Sequence, residues 1–326
     1  MSGAAKIAVV GQGIIGLSTA SRLMADGHAV DIFSKDPFEA TTSMAAGAYW
    51  WPHKAYPQER VSAWAASTYR RLVKESTNPA SGVFMAPHFR FCLDPDDGAY
   101  ARYLLDDWEA IDGAAYGRPC PEAYKMMVPV IDVPIYMPRL RNQLIQAGAK
   151  LIQEEIDHPD SLFPAYDLVV NCTGVWASTF VDDPTVYPIR GQAVRLSLPH
   201  NLQASTRIFQ HDDQFTLILP RTSDVILGGT AQEGSWETSP SEQDTQTIVN
   251  RCRGIVPEIA DSAILGTTVG LRPGRKTVRL ERTKTAAGNP IIHNYGHGGG
   301  GFTIAWGCAE EVALLIRAQD SAQTGK

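Results

Sequence analysis

The sequence predicts a mixed α/β protein in which a parallel, helix-covered sheet is built from separated segments and joined to a mostly antiparallel sheet. Three features carry that reading. Lys6–Val10 is a short apolar run, a glycine-rich turn follows, and Ile15, Thr19 and Leu23 then recur at i, i+4 and i+8, so the chain opens as strand, turn and helix. Over residues 187–230 the period changes to two: Val194, Leu196 and Leu198 share one face against Arg195 and Ser197. Near the C-terminus the chain returns to a glycine run followed by an apolar-periodic helix.

In chain order, the first helix is expected to end near Ala25, with Gly27 suited to the position after its C-cap, and 29–33 reads as a second strand. A βαβ opening of this kind places the N-terminus in a parallel sheet. Eight prolines break the periodic pattern over 76–138, which reads as irregular structure with short helices such as 99–110. Helix resumes over 140–147, and Leu168–Asn171 is a buried strand. Phe215, Leu217 and Leu219 alternate after a polar turn at Asp212 and Asp213, and 225–227 supplies a further strand. Helices are expected over 241–252 and 306–317. The order implies one nucleotide-binding domain of residues 1–60, 138–185 and 268–326, and a substrate domain of 61–137 and 186–267.

The 326 residues carry a formal net charge of −6 and 44% hydrophobic side chains, a globular composition with no basic tract for nucleic acid or anionic lipid. No apolar run approaches the ~20 residues that span a bilayer. Cys92, Cys120, Cys172, Cys252 and Cys308 are widely spaced with no C-x-x-C pair, which favours a reducing compartment over a disulfide framework or zinc site. A cytoplasmic location is the expectation.

Gly11-Gln12-Gly13-Ile14-Ile15-Gly16 fits G-x-G-x-x-G between a strand and a helix. The first glycine permits the turn, the second lets backbone approach a pyrophosphate, and the third lets helix and strand pack closely. Free N–H groups at the helix start favour phosphate. Asp31 lies 20 residues after Gly11, the usual distance for a ribose partner, but inside the second strand. That strand ends at Ser34-Lys35-Asp36, where the Lys suits the 2′-phosphate of NADP, the pyrophosphate or adenosine of FAD, or solvent.

Two later segments are more specific. His293-Asn294-Tyr295-Gly296-His297, followed by Gly298, Gly299, Gly300, Gly301 and Phe302, resembles the signature of the D-amino-acid oxidase and D-aspartate oxidase family, and Asn171-Cys172-Thr173-Gly174-Val175-Trp176 resembles its second FAD-contacting turn. Ala45-Ala46-Gly47, Arg190-Gly191-Gln192, Leu227-Gly228-Gly229-Thr230 and Leu271-Arg272-Pro273 extend the resemblance in order, over nearly the whole chain. It implies FAD in a Rossmann-like domain. It also implies oxidative deamination of a D-amino acid: hydride passes from the α-carbon to flavin N5 and the electrons to O2, giving an imino acid, hydrolysed to a 2-oxo acid and ammonia, and H2O2.

The resemblance assigns cofactor contacts to Gly11, Gly13, Ile14, Ile15, Gly16, Ser34, Lys35, Thr42, Ser43, Ala46, Gly47, Ile156, Cys172, Thr173, Gly174, Arg272, Gly298, Gly299, Gly300, Gly301, Phe302 and Thr303. Arg272 matches the carboxylate-binding arginine, whose planar fork can hold a carboxylate bidentately. The family's usual tyrosine before the Ile218-Leu219-Pro220-Arg221 strand is replaced by Leu217, which is expected to change affinity or specificity. Trp51, His53, Phe209, Phe215, Leu217 and Leu219 are the expected substrate pocket, favouring neutral or bulky apolar side chains. His53 suits a second carboxylate, a base or simple packing. No metal site is expected, and a homodimer is the assembly that the resemblance suggests. The alternatives are an amine or imino-acid oxidase, or a flavin- or nucleotide-binding protein without oxidase activity.

Overall fold

The computed structural model describes residues 4–52, 55–92, 104, 105, 107–116, 120–202, 206–211 and 214–324. Its strands are β1 (Lys6–Val10), β2 (Ala29–Ser34), β3 (Ala48–Tyr49), β4 (Val83–Cys92), β5 (Glu109–Ala110), β6 (Glu122–Ile131), β7 (Lys150–Gln153) and β8 (Leu168–Asn171) in the first half. The second half adds β9 (Tyr187–Ser197), β10 (Thr206–His211), β11 (Gln214–Pro220), β12 (Asp224–Gly228), β13 (Gln232–Glu233), β14 (Ile264–Gly274), β15 (Arg279–Lys284) and β16 (Pro290–Tyr295). The helices are α1 (Ile14–Ala25), α2 (Gln58–Ser76), α3 (Val133–Gln146), α4 (Ala177–Phe180), α5 (Glu242–Arg253) and α6 (Gly301–Thr324).

Six strands form one sheet in the order β15-β16-β8-β1-β2-β7, parallel from β16 to β7. β1 lies between β8 and β2, and its apolar residues are accordingly buried on both faces, as a central parallel strand requires. The second sheet follows β13-β9-β12-β11-β10-β4-β6-β3, with β14 also on β9 and β5 on β6, and all its pairs except β10 with β4 are antiparallel. A single buried cluster joins the two sheets, including Leu17 and Ile32 on one side and Met126 and Ile131 on the other.

Several elements differ from the sequence expectation. Residues 83–131 hold two ten-residue strands, β4 and β6, rather than irregular structure. Their prolines occupy tolerated places: Pro87 directly precedes the part of β4 that pairs with β10, and Pro129 precedes the part of β6 that pairs with β3. Within the expected helix 99–110, residues 99–103 and 106 lie outside the described residues, and Glu109–Ala110 is a strand. α3 begins at Val133, seven residues before the expected start at 140, with Pro138 inside it. α6 begins at Gly301 rather than 306. α2 was not foreseen; it buries Val61, Trp64, Ala65 and Leu72 and packs against α6. β14 is continuous across the domain boundary expected at 268 and belongs wholly to the antiparallel sheet.

The α2–α6 contact depends on one missing side chain. A Cβ on Gly307 would lie 2.3 Å from Trp64 Cα and 2.4 Å from the Trp64 carbonyl oxygen, both backbone atoms that cannot swing aside. Gly307→Ala gains helix propensity but forces the helices apart, so a net loss of about 1–3 kcal/mol of stability is expected from overpacking. Denaturant unfolding of the cofactor-loaded protein checks this.

Candidate functional site

The ends of β1, β2 and β8 open into an elongated cavity of about 1010 Å³ that runs to the face of the antiparallel sheet. That is at the upper end of ligand pockets, which hold roughly 300–1,000 Å³, and leaves room for a dinucleotide and a small substrate together.

The nucleotide end is shaped by glycines. Gly11 has φ +118°, and a Cβ there would lie 2.2 Å from the Cys172 carbonyl oxygen. A Cβ on Gly16 would lie 1.8 Å from the Gly11 carbonyl oxygen, so Gly16 packs helix on strand and does not itself line the cavity. The Ile14 amide donates to Ser43 Oγ at 2.9 Å, which draws the Thr42–Gly47 turn over the start of α1. Gly13, Ile15, Ser34, Lys35, Thr42, Ala46, Ile156, Thr173 and Gly174 all reach the cavity. Cys172 reaches it as well, but burial pushes its thiol up to about 12, so it is an inert neighbour.

Lys35 stands 3.5 Å from the Trp176 ring centroid and 3.5 Å from Glu155, at the cavity rim. Its charge is thus already matched by a carboxylate and an aromatic face. Asp31 does not reach the cavity: it accepts a hydrogen bond from Tyr166 at 2.7 Å. Glu154, Glu155 and Asp157 line this end from the loop after β7. They were missed because β7 enters the sheet from a point more than 100 residues from the motif.

At the other end, Gly298 (φ +53°), Gly299, Gly301, Phe302 and Thr303 line the wall, while Gly300 is buried and turns into α6 by accepting from Thr303 and Ile304. His297 is 2% exposed and faces Asn294 Oδ1 at 3.1 Å; burial lowers its pKa to about 3, so the ring is neutral. Thr303 Oγ1 is held by Trp51, donating to its carbonyl and accepting from its amide.

The floor of this end is one face of the antiparallel sheet. Gly191 pairs with Gly270, Ala193 with Gly228, and Gly228 with Leu217, and paired residues point to the same side. Arg272, two residues after Gly270, rises from that face beside Gly191, whose Cβ would lie 2.3 Å from the guanidinium carbon. Its Nη1 donates to the Thr230 carbonyl at 2.9 Å. No carboxylate among the described residues pairs with it. Burial lowers its pKa, and the nearby Tyr49 phenol acts in the opposite sense.

Of the expected substrate pocket, Trp51 and Leu217 line the cavity. Leu219 does not. It shares Leu217's face as the alternation implied, but the Ala46–Gly47 turn covers it, and a Cβ on Gly47 would meet Leu219 Cδ2 at 3.4 Å. His53 lies outside the described residues, as do the side chains of Phe209 and Phe215. Tyr49 and Ile226 line the wall instead, with His88 stacked behind Tyr49 and Trp51. His88 carried no sequence signal because its partners come from a segment about forty residues earlier.

Gly11→Ala combines a disfavoured positive φ with a backbone clash, so retention of the dinucleotide should weaken by at least about tenfold. The cofactor-to-protein absorbance ratio after gel filtration measures it.

A family model described as FAD dependent oxidoreductase (DAO) matches residues 6–315. A D-amino-acid oxidase of Rubrobacter xylanophilus is 38% identical over 322 residues, 96% of each chain. One of Streptomyces coelicolor is 38% identical over 316 residues, 95% of this chain and 96% of that one. A D-aspartate oxidase of Homo sapiens is 29% identical over 341 residues, 96% of this chain and 94% of its own. Glycine oxidase from Geobacillus kaustophilus shares the fold with a TM-score of 0.77 at 19% identity, covering 96% of this chain and 95% of that one. The glycine cradle, the dinucleotide-sized cavity and these matches converge: the chain belongs to the DAO family of FAD-dependent oxidoreductases, and its cofactor is FAD.

Proposed function

We propose that the protein oxidises a D-amino acid to the imino acid, with O2 as electron acceptor and a preference for neutral or bulky apolar side chains. The observation that carries this is Arg272: a guanidinium facing the cavity, desolvated, with only a backbone carbonyl as partner among the described residues. A buried cation without a counter-charge is costly unless a ligand supplies one, and a carboxylate fits its fork bidentately. Relatives named D-amino-acid oxidase support the stereochemical assignment.

Arg272 orients the substrate by its carboxylate, presenting the α-carbon to the wall made by Gly298 and Gly299; this is catalysis by positioning. When bound, FAD supplies the two-electron acceptor that takes the α-hydrogen with its electron pair and returns the electrons to O2 as H2O2. The amine must be neutral at that moment, because its lone pair forms the C=N bond as the hydride departs. The cavity favours this: the same burial that lowers the Arg272 pKa disfavours a second cation nearby. Tyr49, Trp51, Leu217 and Ile226 form an apolar wall where the side chain would lie, and they exclude water from the reacting end.

Anaerobic mixing with a panel of D- and L-amino acids tests the reading. D-Met or D-Phe should bleach the flavin, their L-enantiomers should not, and D-Asp should be slower by about 10- to 100-fold for want of a partner for its second carboxylate. Bleaching only by secondary amines or imino acids would overturn it. Arg272→Ala should lose about 2–5 kcal/mol of substrate binding, read as a rise in KM of at least about 30-fold.

The pH profile follows from the site's histidines. His297 and His88 both sit at about 3, lowered by burial, so both remain neutral at every working pH above that value. The acid limb of kcat/KM therefore belongs to the substrate ammonium, and kcat/KM should rise roughly tenfold per pH unit until the amine is neutral. Steady-state rates from pH 6 to 10 check the slope.

A further inference from the structure

Arg272 alone leaves part of a carboxylate unsatisfied. A carboxylate accepts about four hydrogen bonds, and a bidentate fork supplies two. The polar side chains around Arg272 are mostly engaged elsewhere. Gln192 donates to the Ser241 carbonyl and Thr245 Oγ1 and accepts from Arg190 and the Ser241 amide. Thr230 Oγ1 accepts from the Gln192 amide. Asn294 is bonded to Thr19 and His297, and Thr303 is bonded to Trp51.

Tyr49 is placed differently. It stands at the end of β3, lines the same cavity as Arg272 and packs against the cluster of Ala86, Leu217 and Ile226. Its ring stacks on His88 with centroids 5.2 Å apart and planes 24° apart, and His88 stacks in turn on Trp51 at 5.4 Å and 30°. His88 is wholly buried, and neither ring nitrogen has a partner among the described residues, so it serves as a neutral platform and not as an acid. The ring of Tyr49 is thereby fixed. Its phenol also lies close enough to Arg272 to favour the guanidinium's charge.

We propose that Tyr49 donates its phenol hydrogen to the substrate carboxylate, so that the acid end of the substrate is clamped between the Arg272 guanidinium and the Tyr49 hydroxyl. This rests on the carboxylate-at-Arg272 reading above. It makes Leu217 the apolar counterpart of the clamp, and it makes His88 and Trp51 positioning residues that act through the ring of Tyr49.

Tyr49→Phe keeps the ring and its stacking and removes only the hydroxyl. The holoenzyme variant should retain full flavin and an unchanged Tm, with KM for D-Met raised about tenfold or more and kcat within a few-fold of the parent. Benzoate, an acid with no amine to oxidise, is the binding probe, followed by its perturbation of the flavin spectrum. Its Kd should rise by a similar factor in Tyr49→Phe. In a cycle with Arg272→Lys, the double variant should lose less than the product of the two single losses, because both groups bind one carboxylate. A Kd and KM within twofold of the parent, or strictly multiplicative losses, would overturn the clamp. If no D-amino acid bleaches the flavin while benzoate still depends on both residues, the oxidase reading fails and the clamp stands. If benzoate depends on Arg272 alone, the clamp fails and the oxidase reading stands.

Discussion

A desolvated guanidinium with no carboxylate of its own is the constraint around which the catalytic end is built. Arg272 can occupy its place only because the facing strand has no side chain there: Gly191 leaves the volume that the guanidinium fills. Gly270, paired with Gly191, is thin for a related reason, since a Cβ on it would lie 3.1 Å from Thr42 Cγ2 in the turn that closes over the nucleotide. One pair of glycines therefore accommodates both the carboxylate-binding group and the segment that reaches the cofactor, and it sets their separation. A side chain at either position would displace an element of the site rather than merely crowd a core.

The nucleotide end obeys the same logic in the parallel sheet. Gly11, Gly16 and Cys172 meet where β1, α1 and β8 converge, at distances that admit no Cβ on either glycine. Parallel strands end on the same side, and the loops leaving them gather there with the N-terminus of α1. The Ser43 hydroxyl on the Ile14 amide ties the turn from the antiparallel sheet to that helix start. Cofactor cradle and substrate floor are thus linked through 42–47, a segment that contacts both α1 and β14.

What the chain made legible was local. G-x-G-x-x-G, the alternation over β9 to β12 and the terminal glycine run each state a backbone requirement within a dozen residues, and the corresponding elements lie where the pattern puts them. What escaped was set by distant partners. The prolines of β4 and β6 read as breakers because nothing nearby reveals which edge of each strand lacks a neighbour. The start of α6 hid inside the glycine run, since glycine suits a loop and a helix N-terminus alike. Leu219 shares a face with Leu217, yet only the folded turn at Gly47 decides which of the two meets the ligand. Tyr49 drew no attention beside Trp50 and Trp51, although Trp50 is wholly buried and its indole is bonded to the Ala65 carbonyl.

The electrostatics of the reacting end are consistent across three groups of different origin. Burial lowers the pKa of His297 from the glycine loop and of His88 from β4, in the second case with help from Arg90, and it lowers that of Arg272 from β14. Each shift says that added positive charge is unwelcome there. The histidines answer by remaining neutral. Arg272 cannot, because a guanidinium holds its proton through any working pH. The remaining way to relieve a buried fixed cation is to bring a negative charge to it, and a substrate with a carboxylate on the carbon to be oxidised does so while losing its own ammonium proton. Recognition of the acid end and preparation of the amine thus follow from one cause, the removal of water from a site that already contains a cation.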